Sequence, residues 1–120
     1  MEKELFDYVA ERVDILAVSN ASTQVTKDAA AAWKKCVAAD ESAADGATET
    51  LLNILEGRPT TIDGVIAFAQ GPAVAMFGEE AAAGMLAEQT KRKAEGAKYC
   101  NCEACTAASE LLAKFGRIEL

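Results

Sequence analysis

Apolar residues recur along much of the chain at spacings of three and four, the repeat that lines one face of a helix. Leu5, Phe6, Val9, Val13 and Leu16 form such a stripe and predict a first helix over residues 2–19. The polar run from Ser19 to Thr23 then reads as a break and a fresh N-cap. A second helix is expected over residues 24–39, with Val25, Ala29, Trp33, Cys36 and Val37 along its apolar face. Residues 40–46 read as a solvated loop. Thr48 is placed to cap a short third helix to Leu55, stopped by Gly57 and Pro59. Thr60 or Thr61 starts a fourth, carrying Ile62, Val65, Ile66 and Ala69. Pro72 suits the first turn of a fifth helix running to about Ala94, and Gly96 breaks it. A sixth runs from near Asn101 to about Phe115, closed by Gly116. No segment alternates as a half-buried strand does. The expectation is an all-α protein, one helical domain over residues 1–120, built as an antiparallel helical bundle or an irregular array of five or six helices.

Composition sharpens this picture. Alanine supplies 26 of the 120 residues and only seven are aromatic, so any core is made of small side chains. A net charge of −7 argues against nucleic-acid binding, because phosphate contacts need a basic surface. The run Lys91-Arg92-Lys93 falls at the end of the expected fifth helix, where the helix dipole accounts for it; a phosphate site there is the weaker reading. No G-x-G-x-x-G or G-x-x-x-x-G-K-[ST] loop occurs, so no nucleotide cofactor is expected. The N-terminus is charged and not followed by an apolar run, and the most apolar stretch, residues 62–77, is interrupted five times by polar, glycine or proline residues. These features predict neither a secretory leader nor a membrane span, and a cytoplasmic protein.

The chain contains no histidine. That excludes a Ser-His-Asp triad, a Cys-His pair, an H-E-x-x-H zinc site and a histidine-ligated haem. The chemistry that is left centres on residues 99–105, Tyr-Cys-Asn-Cys-Glu-Ala-Cys, which hold three of the four cysteines as C-x-C-x-x-C. With Asn101 as N-cap, Cys102 and Cys105 fall three apart on one face of the last helix. Cys100 precedes it in a turn able to fold back. Free N–H groups and positive partial charge at a helix start favour the thiolate, the form that binds metal or attacks a disulfide. Glu103 opposes this and Lys98 partly restores it. Cys100, Cys102 and Cys105 are therefore candidate ligands for zinc or an iron–sulfur cluster, with a structural or a redox and sensing role. They leave a tetrahedral site one ligand short. Cys36 is the remaining cysteine and the candidate fourth ligand; a carboxylate or water is the alternative. Glu79, Glu80 and Glu88 read as a solvated helix face, or as groups outside the ligand shell.

The stretch Cys102-Glu103-Ala104-Cys105-Thr106-Ala107-Ala108-Ser109 resembles the active-site segment of the AhpD-like alkylhydroperoxidase and carboxymuconolactone decarboxylase superfamily, which is all-helical and often carries C-x-x-C-x-x-x-H. The resemblance implies Cys102 and Cys105 as a redox pair, with Ser109 where that superfamily has its histidine. A thiol–disulfide protein is thus the alternative to a metal site. A third class is a non-catalytic homo-oligomer or partner-binding module that docks through an apolar helix face, where Ala81-Ala82-Ala83-Gly84 permits close approach.

Overall fold

The computed structural model describes residues 1–120 and contains seven α-helices and no strand. The helices are α1 (Lys3–Val18), α2 (Gln24–Ala39), α3 (Ala44–Leu55), α4 (Ile62–Gln70), α5 (Pro72–Phe77), α6 (Glu79–Ala94) and α7 (Glu103–Lys114). They fall into two compact units, residues 1–59 with 101–119, and residues 60–100. The all-α expectation holds, with changes at several helix ends. The fifth helix breaks in two at Gly78, whose φ of +91° lies in the left-handed region where a Cβ is costly. The expected loop at 40–46 is instead a 3₁₀ turn, Glu41–Ala43, that runs into α3, so Thr48 lies buried inside α3 and does not cap it. No helix is long and apolar enough to cross a membrane.

In the first unit α1 packs on α2 and α7, and α3 packs on α2 and α7, which closes a ring of four helices. Each contributes one stripe to the core. Val9, Val13 and Leu16 come from α1, Ala29, Ala30 and Trp33 from α2, Leu51, Leu52 and Leu55 from α3, and Ala104, Ala107, Ala108, Leu111 and Leu112 from α7. Alanines on α2 and α7 bring backbones close, while leucines on α3 and α7 fill the space between. Trp33 is the one large aromatic in this core, stacked obliquely on Phe6 with ring centroids 5.5 Å apart. Its indole N–H donates to the hydroxyl of Thr48 at 2.9 Å, and the two residues are only 4% and 1% exposed. At the half-buried edge of this unit Arg12 lies 3.4 Å from the centre of the Tyr8 ring and pairs with Glu110 of α7 at 3.2 Å. Arg117 reaches back to Glu56 at 2.7 Å and Asn53 at 2.9 Å, fixing the chain beyond α7 to the end of α3.

The second unit is the helical trio α4, α5 and α6. Thr61 caps α4 by accepting the N–H of Gly64, and Ile62, Val65, Ala69, Ala73 and Ala82 are buried. Thr61 also forms an isolated antiparallel bridge with Tyr99, so the segment entering α4 runs beside the segment leaving α6.

Two outcomes test this account. Thr48→Val strands the buried indole N–H and is expected to cost about 1–3 kcal/mol of stability. Urea unfolding should show a smaller loss for the same change in a Trp33→Phe background, where no donor is stranded. Asp40 starts the 3₁₀ turn by accepting the Ser42 hydroxyl at 2.6 Å and backbone N–H at 3.0 Å, and these bonds hold its carboxyl below the ordinary carboxylate range. A lowered folded pKa favours the folded state above the ordinary value and loses that advantage as pH falls through the lowered one. The stability difference between wild type and Asp40→Asn should therefore shrink as pH drops below about 4. A constant difference across that range would contradict it.

Candidate metal centre

The approach to the cysteines is set by main-chain hydrogen bonds. On either side of the Thr61–Tyr99 bridge, the Ile62 N–H donates to the Lys98 carbonyl at 2.9 Å and the Cys100 N–H donates to the Thr60 carbonyl at 2.8 Å. Cys100 thus leaves a short ladder at a fixed register, where a free turn was expected. The Tyr99 carbonyl, one residue earlier, accepts a guanidinium N–H of Arg92 at 2.9 Å. A guanidinium N–H on the same Arg92 nitrogen also donates to the Gln89 side-chain carbonyl at 2.7 Å.

The last helix starts one residue later than the sequence suggests. Its N-cap is Cys102, extended at φ −63° and ψ 158°, and its Sγ accepts the backbone N–H of Cys105 at 3.3 Å. Asn101 therefore lies outside the helix, and Cys105 is its third residue. The shift has a physical reason. A sulfur can take the N-cap role usually filled by a hydroxyl or carboxylate oxygen, and here it stands three residues ahead of the N–H it must meet. The side chain of Cys102 also packs against the core of the first unit. Its position is therefore held by both apolar contact and hydrogen bonding.

These local constraints bring the thiols of Cys100, Cys102 and Cys105 together, with all three sulfurs within 4.8 Å of one another. None of the four cysteines forms a disulfide, and the three clustered ones are partly buried. This spacing lets one ion touch all three. Tetrahedral zinc with Zn–S bonds of about 2.3 Å places its sulfurs about 3.8 Å apart. The free N–H groups of the first turn of α7 add positive partial charge beside the sulfurs, and Glu103 in the same turn is exposed.

Cys36 does not belong to the group. It is exposed on α2. The buried stripe of that helix is Thr26, Ala29, Ala30 and Trp33, with Val37 at its margin, which corrects the expectation that Cys36 lies on the apolar face. The acidic residues Glu79, Glu80 and Glu88 are exposed on α6 and none joins the thiol group. Ser109, at the histidine position of the redox resemblance, is buried, and its hydroxyl donates to the Thr106 carbonyl inside α7 at 3.1 Å.

The bonds of Arg92 were not legible in the sequence. A run of three basic residues at a helix end looks like dipole matching, and nothing in residue type marks a contact with a main-chain carbonyl seven residues on. The one usable signal is Gly96, whose φ of +96° turns the chain back toward the helix it has just left.

Because the Cys102 sulfur is a cap as well as a candidate ligand, two substitutions separate the roles. Cys102→Ser keeps a capping acceptor, whereas Cys102→Ala removes it. In metal-free protein the alanine variant should be less stable than the serine variant by about 0.5–2 kcal/mol, measured by denaturant unfolding. Equal stabilities would show that the sulfur contributes nothing as a cap.

Comparison with protein families, with curated proteins and with solved structures gives no match for this chain.

Proposed function

We propose that Cys100, Cys102 and Cys105 bind a single thiophilic metal ion, zinc in the first instance, as three thiolates. The observation that carries this reading is the mutual approach of the three sulfurs within 4.8 Å. An iron–sulfur cluster places at most two cysteines on one iron, so three cysteines span at least two irons and their sulfurs cannot all lie as close as on a shared ion. The tight grouping therefore favours one ion over a cluster. The donor set agrees, because zinc takes thiolates readily and needs no redox change to bind them. The N–H of Cys105 donating to the Cys102 sulfur is the kind of hydrogen bond that orients a thiolate ligand and tempers its charge.

Three protein sulfurs leave a fourth tetrahedral position. No histidine exists in the chain, and Cys36 is exposed and outside the group. No carboxylate belongs to the group either, which leaves water or another molecule as the fourth ligand, a pattern that goes with exchangeable rather than sealed zinc. On this reading the protein holds or passes on a metal ion, or uses it to bind a small ligand.

One observation favours a second reading. Cys102 at the N-cap and Cys105 in the first turn have the arrangement of a thiol–disulfide pair, with the first sulfur placed to be stabilised as thiolate. The two readings separate in one set of measurements.

Protein purified without chelator should carry one zinc per chain by elemental analysis. Adding zinc at about 100 times its Kd to metal-free protein should stabilise the fold by about 2.7 kcal/mol, read as a raised midpoint of unfolding. Cys100→Ser, Cys102→Ser and Cys105→Ser should each lose most of this gain, and Cys36→Ser should keep all of it. Protein that binds no zinc but shows a mass loss of two hydrogens on mild oxidation, abolished in Cys102→Ser, would replace the metal reading with the redox pair.

A further inference from the structure

We infer that Arg92 is a positioning residue for the thiol group, acting with Gln89 through the main chain that presents Cys100. This rests on the metal reading for its consequence, and on hydrogen bonds within the second unit for its basis. Gln89 is only 3% exposed, an unusual place for a polar side chain, and its carbonyl oxygen accepts from the Arg92 guanidinium at 2.7 Å. The guanidinium is thereby aimed, and it donates to the Tyr99 carbonyl at 2.9 Å. Tyr99 is the bridge residue opposite Thr61, and the next N–H along, that of Cys100, closes on the Thr60 carbonyl at 2.8 Å. Arg92 thus fixes one face of the peptide unit whose other end is the Cys100 nitrogen.

The path from α6 to Cys100 explains why such a brace is needed. After α6 the chain turns at Gly96, and the Ala97 N–H returns to the Arg92 carbonyl at 2.9 Å. Arg92 therefore receives the returning chain with its own main chain and holds it again, two residues later, with its side chain. Without the second hold, the main-chain pairing that keeps this register rests on the two hydrogen bonds that make up the Thr61–Tyr99 bridge. Isolated pairing of that length is weak in water. A slip of one residue would send the Cys100 side chain to the opposite face, because side chains alternate along an extended segment. Arg92 is therefore distinct from Lys91 and Lys93 within its basic run. Lys93 pairs with Asp63 at 2.6 Å near the start of α4, and Lys91 is exposed.

The test compares Arg92→Met, Arg92→Lys and Lys91→Gln with wild type in two measurements. Zinc affinity is read by competition with a chromophoric chelator, and protection of the Cys100 amide is read by hydrogen exchange on metal-free protein. Arg92→Met should bind zinc about 10- to 100-fold more weakly, the usual effect of removing a group that orients a ligand. It should also lose protection at the Cys100 amide. Arg92→Lys should recover part of both, since it restores a cationic donor but not the planar fork. Lys91→Gln should match wild type in both. Arg92→Met with wild-type zinc affinity, even at a lowered melting temperature, would overturn the proposal, because a purely structural arginine would behave that way. Should wild-type protein bind no zinc, the metal reading falls by itself. Exchange at Cys100 then decides the positioning role, which is overturned if Arg92→Met leaves that amide as protected as before.

Discussion

One sulfur atom connects the fold of this protein to its chemistry. Cys102 ends an extended segment, and its Sγ accepts the N–H that would otherwise be left open in the first turn of α7. The same side chain packs against the core of the first unit, so the start of α7 is fixed from two directions. Because Cys105 is in that first turn, fixing the cap also fixes the second thiol. Cys100 lies two residues ahead of the cap and is held by its own hydrogen bond to Thr60. Three thiols therefore meet without any long-range coincidence. Each is placed by bonds within a few residues of it, or by one short ladder.

The rest of the first unit has the properties needed to keep such a start rigid. Its core is narrow, since α2 and α7 present alanines where larger side chains would hold helices apart. Ala104, Ala107 and Ala108 of α7 are buried in the core of the first unit, so the helix that carries Cys105 presents small side chains to its neighbours. The buried polar pair Trp33 and Thr48 adds direction to a core that is otherwise slippery, because a hydrogen bond between α2 and α3 is met in one register only. Small residues permit close approach, and the polar pair limits which close approach is chosen.

Most of the helical architecture was legible because it follows from periodicity and from glycine and proline positions. The stripe of α1, the span of α2, the Thr61 cap and the end of α7 before Gly116 all lie where the pattern puts them, although Val25 and Cys36 of α2 are exposed. Two departures, at Asn101 and at Cys36, have physical reasons of their own. Asn101 is the better capping residue by general preference, yet the chain reaches α7 with Cys102 three residues ahead of the N–H that has to be met. Cys36 follows Trp33 by three residues and so looks apolar-faced, but the buried stripe runs on through Val37 and leaves Cys36 outside. The cluster itself was legible from spacing. The brace from Arg92 was not, because its acceptor is a main-chain carbonyl, which every residue possesses.

Charge bears on the kind of metal that three such sulfurs suit. Three thiolates around a divalent ion leave one net negative charge, so the site must supply compensation or reject the third deprotonation. The first-turn amides of α7 offer positive partial charge at the sulfurs, and the Cys105 N–H delivers part of it as a hydrogen bond to one ligand. The exposed Glu103 in the same turn works against this at longer range and in water, where its effect is screened. A monovalent ion would leave two negative charges for the same few dipoles to balance, and a cluster would need its sulfurs further apart. On the proposed metal reading, the compensation available and the spacing of the sulfurs are therefore what favour one divalent, thiophilic ion.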